Sequence, residues 1–290
     1  MSCNSPIYAL DLGVKENGKR NIKLLPKRVD LSSLDQLERR YGRGNILPLP
    51  CGKCLACKLA KAREWAVRCV LEASLYDDNS FLTLTYDDAH LPADNKLDRP
   101  ELQRFLKRVR KAGHDIRYFG CGEYGSQYKR PHYHLIMFGW YPTEKELQKL
   151  WPYGFVYVDD CNFRTCDYVA RYTTKKLFGS KDDSFICMST RPGIGYAWLE
   201  KHFDIFKYDK ICGSFGSGNV SNIPRYFEKV FEVFDPESLK ELKLKRIGKG
   251  LDMTLYEMYI HALDRVEKLY EYRNEIQVHE FEQKGKRKDL

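Results

Sequence analysis

Short apolar runs and longer amphipathic repeats alternate along the central part of the chain. The short runs are bounded by Gly, Pro, Asn and Asp and predict four strands: Phe81 to Tyr86, Ile116 to Cys121, His132 to Trp140 and Gly154 to Val158. Apolar residues spaced by three and four predict the helices: Cys57 to Tyr76, Arg99 to Gly113, Thr143 to Trp151, Cys166 to Gly179 and Asp252 to Ile276. This interleaving predicts an α+β fold, an antiparallel β-sheet with flanking helices placed on one side.

Local signals set the ends of two of these helices. Asp98 is an N-cap candidate for the helix that Gly113 ends. Thr143 and Glu146 have the spacing of a capping box at the start of the next helix. Farther along, the segment from Gly213 to Pro224 is rich in Gly, Ser and Asn, which predicts a loop.

Composition narrows the class of protein. The 290 residues include 49 Lys and Arg against 40 Asp and Glu, a formal net charge of +9, and 43% are hydrophobic. We therefore expect a sizeable core and an acidic partner such as nucleic acid. No apolar run reaches the roughly 18 residues of a membrane-spanning helix, and the first residues lack the apolar stretch of a signal peptide. These features predict a cytosolic protein with mostly reduced cysteines.

His132 and His134 begin the third predicted strand, so their side chains face the same way, about 6.6 Å apart. Two such imidazoles can share a metal ion, although an isolated pair is more often structural. Glu123 precedes His132 by nine residues, and a hairpin between them would bring its carboxylate alongside both rings. Two histidines and one carboxylate leave coordination positions open, as catalysis requires. The residues alone leave Mg²⁺, Mn²⁺, Zn²⁺ and iron all as candidate ions.

Tyr168 and Tyr172 form a second candidate group. Four residues apart on a predicted helix, they lie on one face about 6 Å apart along the axis, with Lys175 and Lys176 one turn farther on. Tyrosines at this spacing are also common in protein cores, but the lysines argue against full burial of this face. A phenol with a pKa of about 10 needs a neighbouring cation to become a nucleophile. An ammonium group and a metal-polarised phosphate would provide that help.

Cys51, Cys54 and Cys57 form the tightest cysteine cluster in the sequence. Three thiolates at this spacing can bind zinc or part of an iron-sulfur cluster. Cys69 lies too far along the same predicted helix to complete such a site. Other candidates for a fourth ligand are distant in the sequence: Cys121, Cys161, Cys166 and His90. A structural zinc, a redox cluster and a site without metal all remain open.

Together these motifs resemble the HUH endonuclease superfamily, and within it the rolling-circle replication initiators of microviruses of the gokushovirus type. The three family motifs are similar to Phe81 to Tyr86, to His132-Tyr133-His134 and to Tyr168 to Lys176. The likeness spans about Asn45 to Phe231 and includes the cysteine cluster. Tyr133 is a departure, since aliphatic residues are more usual there. The resemblance implies an HUH endonuclease fold with an RRM-like core.

The resemblance also implies roles for individual residues. Three of them would bind a divalent metal, Mg²⁺ or Mn²⁺: His132, His134 and Glu123. Three others would be catalytic: Tyr168, Tyr172 and Lys175. The implied reaction nicks single-stranded or melted origin DNA and forms a 5′-phosphotyrosine link. It leaves a free 3′-hydroxyl for rolling-circle replication of a small phage genome, and the ends are later rejoined.

On this interpretation the chain has an N-terminal arm (1–44), a nickase domain with the cysteine cluster (45–232), and a C-terminal helical extension with a basic tail (233–290). Candidate contacts to DNA are basic residues of two helices: Arg104, Lys107, Arg108, Arg171 and Lys176. The protein would act in the host bacterial cytoplasm, with a host helicase and replication proteins as candidate partners. Two rival interpretations remain: a non-catalytic nucleic-acid-binding protein with a Cys-bound zinc, and a metal-dependent hydrolase in which water attacks.

Overall fold

The computed structural model describes residues 3–15, 20–25, 36–37, 39–42, 45–92, 94–125, 128–175, 183–208, 210–215 and 218–251. The chain divides into two compact units, Met1–Lys58 with Lys240–Leu290, and Leu59–Leu239. The predicted helix from Asp252 to Ile276 and the basic tail lie outside the described residues. No helix in the described part of the chain has the length and apolar character needed to span a membrane. The domain boundaries proposed from the sequence stay predictions.

In chain order, the described elements are β1 (Ile7–Val14), β2 (Arg20–Leu24), β3 (Ile46–Leu49), α1 (Leu55–Ala73), β4 (Asn79–Thr85), α2 (Arg99–Lys111), β5 (Arg117–Tyr124), β6 (Pro131–Phe138), α3 (Glu144–Leu150), β7 (Val156–Asp160), α4 (Phe163–Lys175), β8 (Phe185–Met188), α5 (Tyr196–Glu200), α6 (Ile205–Tyr208), β9 (Ile211–Phe215), β10 (Gly218–Ser221), α7 (Arg225–Phe234) and α8 (Pro236–Leu251). The four strands predicted in the central region are all present, with their ends shifted by a few residues.

The first unit contains a three-stranded antiparallel sheet in the order β2-β1-β3. The sequence pattern predicts no strand in this region, only an arm. Ala9 and Ile46, on neighbouring strands, are buried. The strands are short and show little apolar alternation, which explains why the sequence pattern does not reveal them.

The second unit is built on a five-stranded antiparallel sheet in the order β7-β4-β6-β5-β8. Its elements β4-α2-β5-β6-α3-β7 follow the split βαβ arrangement of ferredoxin-like and RRM-like domains. The predicted α+β class with flanking helices is therefore confirmed.

Helices cover both faces of this sheet. On one face, Leu135 of β6 packs in a cluster with Phe105 of α2 and with α3. On the other face, Ile136 packs with Ala66 of α1 and Val169 of α4. The prediction of helices on one side holds for α2 and α3 but was wrong for the whole unit. Strand β6 is apolar at nearly every position, so both of its faces need cover.

The helix ends follow the predicted signals. The side chain of Asp98 accepts a hydrogen bond from the amide of Glu101 at 3.0 Å, at the start of α2. The hydroxyl of Thr143 accepts one from the amide of Glu146 at 3.3 Å, at the start of α3. Gly113 follows α2 with a φ of +99°, a conformation in which glycine is favoured over residues with a Cβ.

The segment from Gly213 to Pro224 is more than the loop that its composition predicts. Within it, β10 pairs with β9 in an antiparallel hairpin, which aligns Gly218 with Phe215 and Ser221 with Ile211. Ladder hydrogen bonds come from the backbone, so a segment rich in Gly and Ser can still form strands without an apolar pattern.

Candidate functional site

Strands β5 and β6 bring the three predicted metal ligands together. Their register pairs Glu123 with His132 and Cys121 with His134, so the ligands share one face. Oε1 of Glu123 lies 3.2 Å from Nε2 of His132 and 3.1 Å from Nε2 of His134. One ligand atom from each residue lies within 4.8 Å of the other two. This geometry suits a two-histidine, one-carboxylate metal site.

Hydrogen bonds on the far side of each ring orient the two imidazoles. Nδ1 of His132 lies 3.2 Å from the carbonyl oxygen of Arg130, and Nδ1 of His134 lies 2.9 Å from Oγ1 of Thr83. Since a carbonyl oxygen only accepts, Nδ1 of His132 donates, and Nε2 of the neutral ring keeps its lone pair. A lone pair that faces a carboxylate oxygen is repelled unless a proton or a cation lies between them. The donor set therefore fits a divalent cation.

Strand β4 supports His134 through two residues that were not predicted as part of the site. Thr83 is opposite His134 in the β4-β6 register and makes the hydrogen bond to its ring. The ring of Phe81 stacks on that of His134, with centroids 5.5 Å apart and planes 11° apart. The available signal was a Thr two residues from Phe81 in a largely apolar strand, on the same face.

Helix α4 packs on this face and brings two hydroxyl groups to the ligands. The hydroxyl of Tyr168 donates to Oε1 of Glu123 at 3.3 Å and lies 3.4 Å from Nε2 of His134. The hydroxyl of Tyr172 donates to that of Tyr168 at 2.9 Å. The ring of Tyr172 also stacks against His134 at a centroid distance of 6.2 Å. The helical spacing of the two tyrosines thus places both at the ligand cluster.

Both phenols are held in the protonated form by their surroundings. Burial, followed by the charge of Glu123, raises the pKa of Tyr168. Burial, followed by the proximity of Tyr168 and Glu123, raises the pKa of Tyr172. Tyr168 nevertheless exposes 41% of its surface, so an incoming phosphate can approach its hydroxyl. A cation near the carboxylate would favour loss of the phenolic proton.

The residues of this site lie within a segment that matches a known protein family. The family model, described as a replication-associated protein of the ORF2 type, matches residues 79–177, from the start of β4 to beyond α4. The replication-associated protein ORF2 of Spiroplasma virus 4 is 34% identical over 269 residues, which cover 80% of this chain and 81% of the relative. The chain belongs to the family of phage replication-associated proteins.

Two further family members come from other phages. The replication-associated protein VP4 of Bdellovibrio phage phiMH2K is 30% identical over 255 residues, covering 77% of this chain and 80% of the relative. The replication-associated protein ORF4 of Chlamydia phage 1 is 37% identical over 155 residues, covering 45% of this chain and 39% of the relative. The resemblance to phage replication initiators is confirmed at the level of the family. No solved structure matches the chain.

The basic residues predicted on α4 are only partly described. Arg171 forms an ion pair with Asp167, one helical turn before it, at 2.6 Å. Lys175 is the last residue of α4, and its side chain lies outside what the structure describes, as does the whole of Lys176. Their roles in catalysis and in DNA binding stay predictions.

The basic residues predicted on α2 lie across the sheet from the metal ligands, because α2 packs on the opposite face. Arg104 forms an ion pair with Asp98 at 3.1 Å. Nε of Arg108 donates to the carbonyl oxygen of Leu150 at 2.9 Å and so links α2 to the end of α3. Lys107 is exposed. DNA at the ligands would have to pass around the sheet to reach these side chains.

An open cleft of about 400 Å³ adjoins the ligand His132. Its walls include Thr85, Arg130 and Phe155. The ring of Phe155 is 71% exposed, while its carbonyl oxygen accepts a hydrogen bond from the amide of Thr85 at 2.9 Å. An exposed aromatic ring held beside a metal ligand offers a surface on which a nucleic-acid base can stack.

The cysteine cluster of the first unit gains a member that was not predicted. Cys51, Cys54 and Cys57 come together with Cys3, and their sulfur atoms all lie within 4.8 Å of one another. The distant residues considered as a fourth ligand are elsewhere in the second unit. There, Cys69, Cys121 and Cys166 lie in the core, Cys161 packs against it, and His90 pairs with Asp87.

Proposed function

We propose that this protein is a metal-dependent DNA endonuclease that initiates rolling-circle replication of a small phage genome. The observation that carries the proposal is the hydroxyl of Tyr168, which lies within 3.4 Å of ligand atoms of Glu123 and His134. A nucleophile so placed can attack a phosphate held at the same ligands. The relatives named as phage replication-associated proteins support DNA as the substrate and the host bacterial cytoplasm as the place of action.

His132, His134 and Glu123 would hold the cation, Mg²⁺ or Mn²⁺. When bound, such an ion offsets the negative charge that develops on the phosphate during in-line displacement. The carbonyl oxygen of Arg130 and the hydroxyl of Thr83 fix the ring orientations, so that Nε2 of each histidine faces the carboxylate.

In the proposed reaction, Oη of Tyr168 attacks the scissile phosphorus, and the bond from phosphorus to the 3′ oxygen breaks. The phenolic proton is lost and the departing 3′ oxygen takes up a proton, so the products are a 5′-phosphotyrosine and a free 3′-hydroxyl. One phosphodiester replaces another, so attack by a later 3′-hydroxyl rejoins the ends without ATP. The cleft beside Phe155 would receive a neighbouring base of single-stranded or melted DNA.

Tyr172 would serve the second cleavage while Tyr168 still holds the first DNA end. Its hydroxyl is already hydrogen-bonded to that of Tyr168, so a small movement of the DNA exchanges their roles. Lys175 would follow on the same helix as the catalytic lysine. A host helicase and other replication proteins are the expected partners, since a nick alone does not separate the strands.

The test is the formation of a covalent adduct. The protein is incubated with labelled single-stranded origin oligonucleotides and Mn²⁺, and protein-bound label is measured after denaturation. We expect an adduct that is lost in the double variant Tyr168→Phe, Tyr172→Phe and kept in the control Tyr157→Phe, an exposed tyrosine on β7. Cleavage without an adduct would instead support a hydrolase, and binding alone a non-catalytic protein with a Cys-bound zinc. A full adduct in the double variant would refute the assigned nucleophiles.

A further inference from the structure

Four thiols converge in the first unit, in a set that the proposed reaction does not use. Sγ of Cys3 lies 3.6 Å from Sγ of Cys54, and all four sulfur atoms lie within 4.8 Å of one another. All four cysteines are free, so no disulfide accounts for these approaches. Four thiolates bound to one zinc ion at about 2.3 Å form a tetrahedron with sulfur atoms about 3.8 Å apart. The observed separations fit a single ion at the centre.

Backbone amides point at two of these sulfur atoms. The amide of Cys51 donates to Sγ of Cys3 at 3.2 Å. The amides of Lys53 and Cys54 donate to Sγ of Cys51 at 3.4 and 3.3 Å. Gly52, with a φ of +72°, allows the chain to turn so that these amides face inward. Such donors stabilise the charged thiolate that a metal requires.

We infer that Cys3, Cys51, Cys54 and Cys57 form a structural zinc site. Four protein ligands fill a tetrahedral ion completely and leave no position for a substrate, which distinguishes structural from catalytic sites. A cluster of several iron atoms places iron and sulfide between the thiolates and needs wider separations than those observed. This inference is independent of the proposed nuclease activity, because it concerns a different unit and different residues.

The site would fasten three parts of the chain to one another. Cys3 precedes β1, Cys51 follows β3, and Cys57 lies in the first turn of α1. The link from Cys3 to Cys51 closes 48 residues that include the three-stranded sheet. Among the described residues of 3–50, only Ala9 and Ile46 are buried apolar residues, so this sheet has a very small core of its own. A metal compensates for a core of that size.

The test measures metal in the full-length protein. After a chelator wash and desalting, we expect one tightly held zinc per chain by mass spectrometry, and the same in the control Cys212→Ser, an exposed cysteine on β9. Cys3→Ser should weaken zinc binding by at least about 10- to 100-fold, the cost of disturbing even an outer partner of a metal site. Replacement of zinc by Co²⁺ should give a thiolate-to-cobalt charge-transfer band, to which the predicted imidazole and carboxylate site cannot contribute.

A second variant separates the loss of a ligand from misfolding. Cys3→His supplies a different zinc ligand at the same position, so it should retain one zinc per chain while the Co²⁺ spectrum changes from that of four thiolates. The inference is overturned if the wild-type protein holds no zinc, or holds iron instead. It is equally overturned if Cys3→Ser keeps the wild-type zinc affinity and Co²⁺ spectrum.

Discussion

The two faces of the five-stranded sheet use their buried tyrosine hydroxyls in different ways. Under α2, the hydroxyl of Tyr133 lies 2.9 Å from that of Tyr86 and donates to the carbonyl oxygen of Asp98 at 3.0 Å. It also accepts from the amide of Asp98 at 3.0 Å, so it anchors the start of α2. Under α4, the hydroxyl of Tyr168 meets a carboxylate that is shared with two imidazoles. Hydroxyls bound to backbone complete the fold, whereas those gathered around one carboxylate are placed to meet a ligand.

The contrast runs through consecutive residues of β6. Tyr133 and His134 point to opposite faces because side chains alternate along a strand. Tyr133 is fully buried, and burial raises its pKa to about 12, so its hydroxyl stays a neutral hydrogen-bonding group. This explains how a tyrosine is accepted where an aliphatic residue was expected: its hydroxyl has partners in Tyr86 and Asp98.

The largest effect is expected from His134→Ala. It removes one metal ligand and a neighbour of the Tyr168 hydroxyl, so adduct formation should fall by about a thousandfold or more, equivalent to about 4 kcal/mol. The measurement is the rate of adduct formation with Mn²⁺ in excess, and chelation of Mn²⁺ should abolish the wild-type reaction as well. The control is His114→Ala, a histidine that packs on Trp140 away from the ligands. Near-normal adduct formation by His134→Ala would remove the metal site from the mechanism.

Next in size is the effect of removing one hydroxyl from either face. Tyr133→Phe leaves buried partners without their hydrogen bonds and should lower the free energy of unfolding by about 1–3 kcal/mol, with adduct formation per folded molecule unchanged. Tyr168→Phe should do the reverse. Tyr172 must then attack alone, and misplacing a nucleophile by about 1 Å costs about a hundredfold in rate. Denaturant unfolding and adduct kinetics are measured on both variants, and the comparison fails if both variants lose stability and activity together.

The spacing of residues along regular elements made the central site predictable. Residues two apart on a strand or four apart on a helix share a face whatever the tertiary structure, which sufficed for the histidines and for the tyrosines. Glu123 required one further assumption, a hairpin between β5 and β6, and the register confirmed that pairing. The packing of β6 could also have been anticipated, since a strand apolar on both faces requires two helical layers.

Contacts that depend on long-range register could not be found in this way. Thr83 meets His134 only because β4 pairs with β6 in one of several registers that the apolar pattern allows. Cys3 is separated from Cys51 by 48 residues, and nothing in the intervening pattern indicated that the strands between them fold back. The segment of β9 and β10 lacked an apolar pattern altogether. The unpredicted part of the structure is therefore its tertiary pairing, rather than its local elements.

A smaller effect is expected from Thr83→Val, which keeps the shape of the side chain but removes the partner of Nδ1 of His134. Loss of such an outer partner typically weakens metal binding by about 10- to 100-fold. Adduct formation should therefore need more Mn²⁺ but approach the wild-type rate at saturation. The matched control is Thr85→Val, on the same face of β4, whose hydroxyl donates to the carbonyl oxygen of Phe155. A lower rate that extra Mn²⁺ does not restore would point to a role for Thr83 beyond orienting the ring.

The smallest effect is expected at Lys107, which tests whether DNA stays on one face. Each contact with a phosphate of single-stranded DNA adds about 0.7 to the slope of log affinity against log salt concentration. Arg171→Ala, on α4, should reduce this slope by about that amount if its guanidinium contacts DNA beside the tyrosines. Lys107→Ala, on α2 across the sheet, should leave the slope nearly unchanged, as measured by fluorescence anisotropy over a range of salt concentrations. Equal reductions would show that the strand passes around the sheet edge and that both faces bind DNA, although only one carries the chemistry.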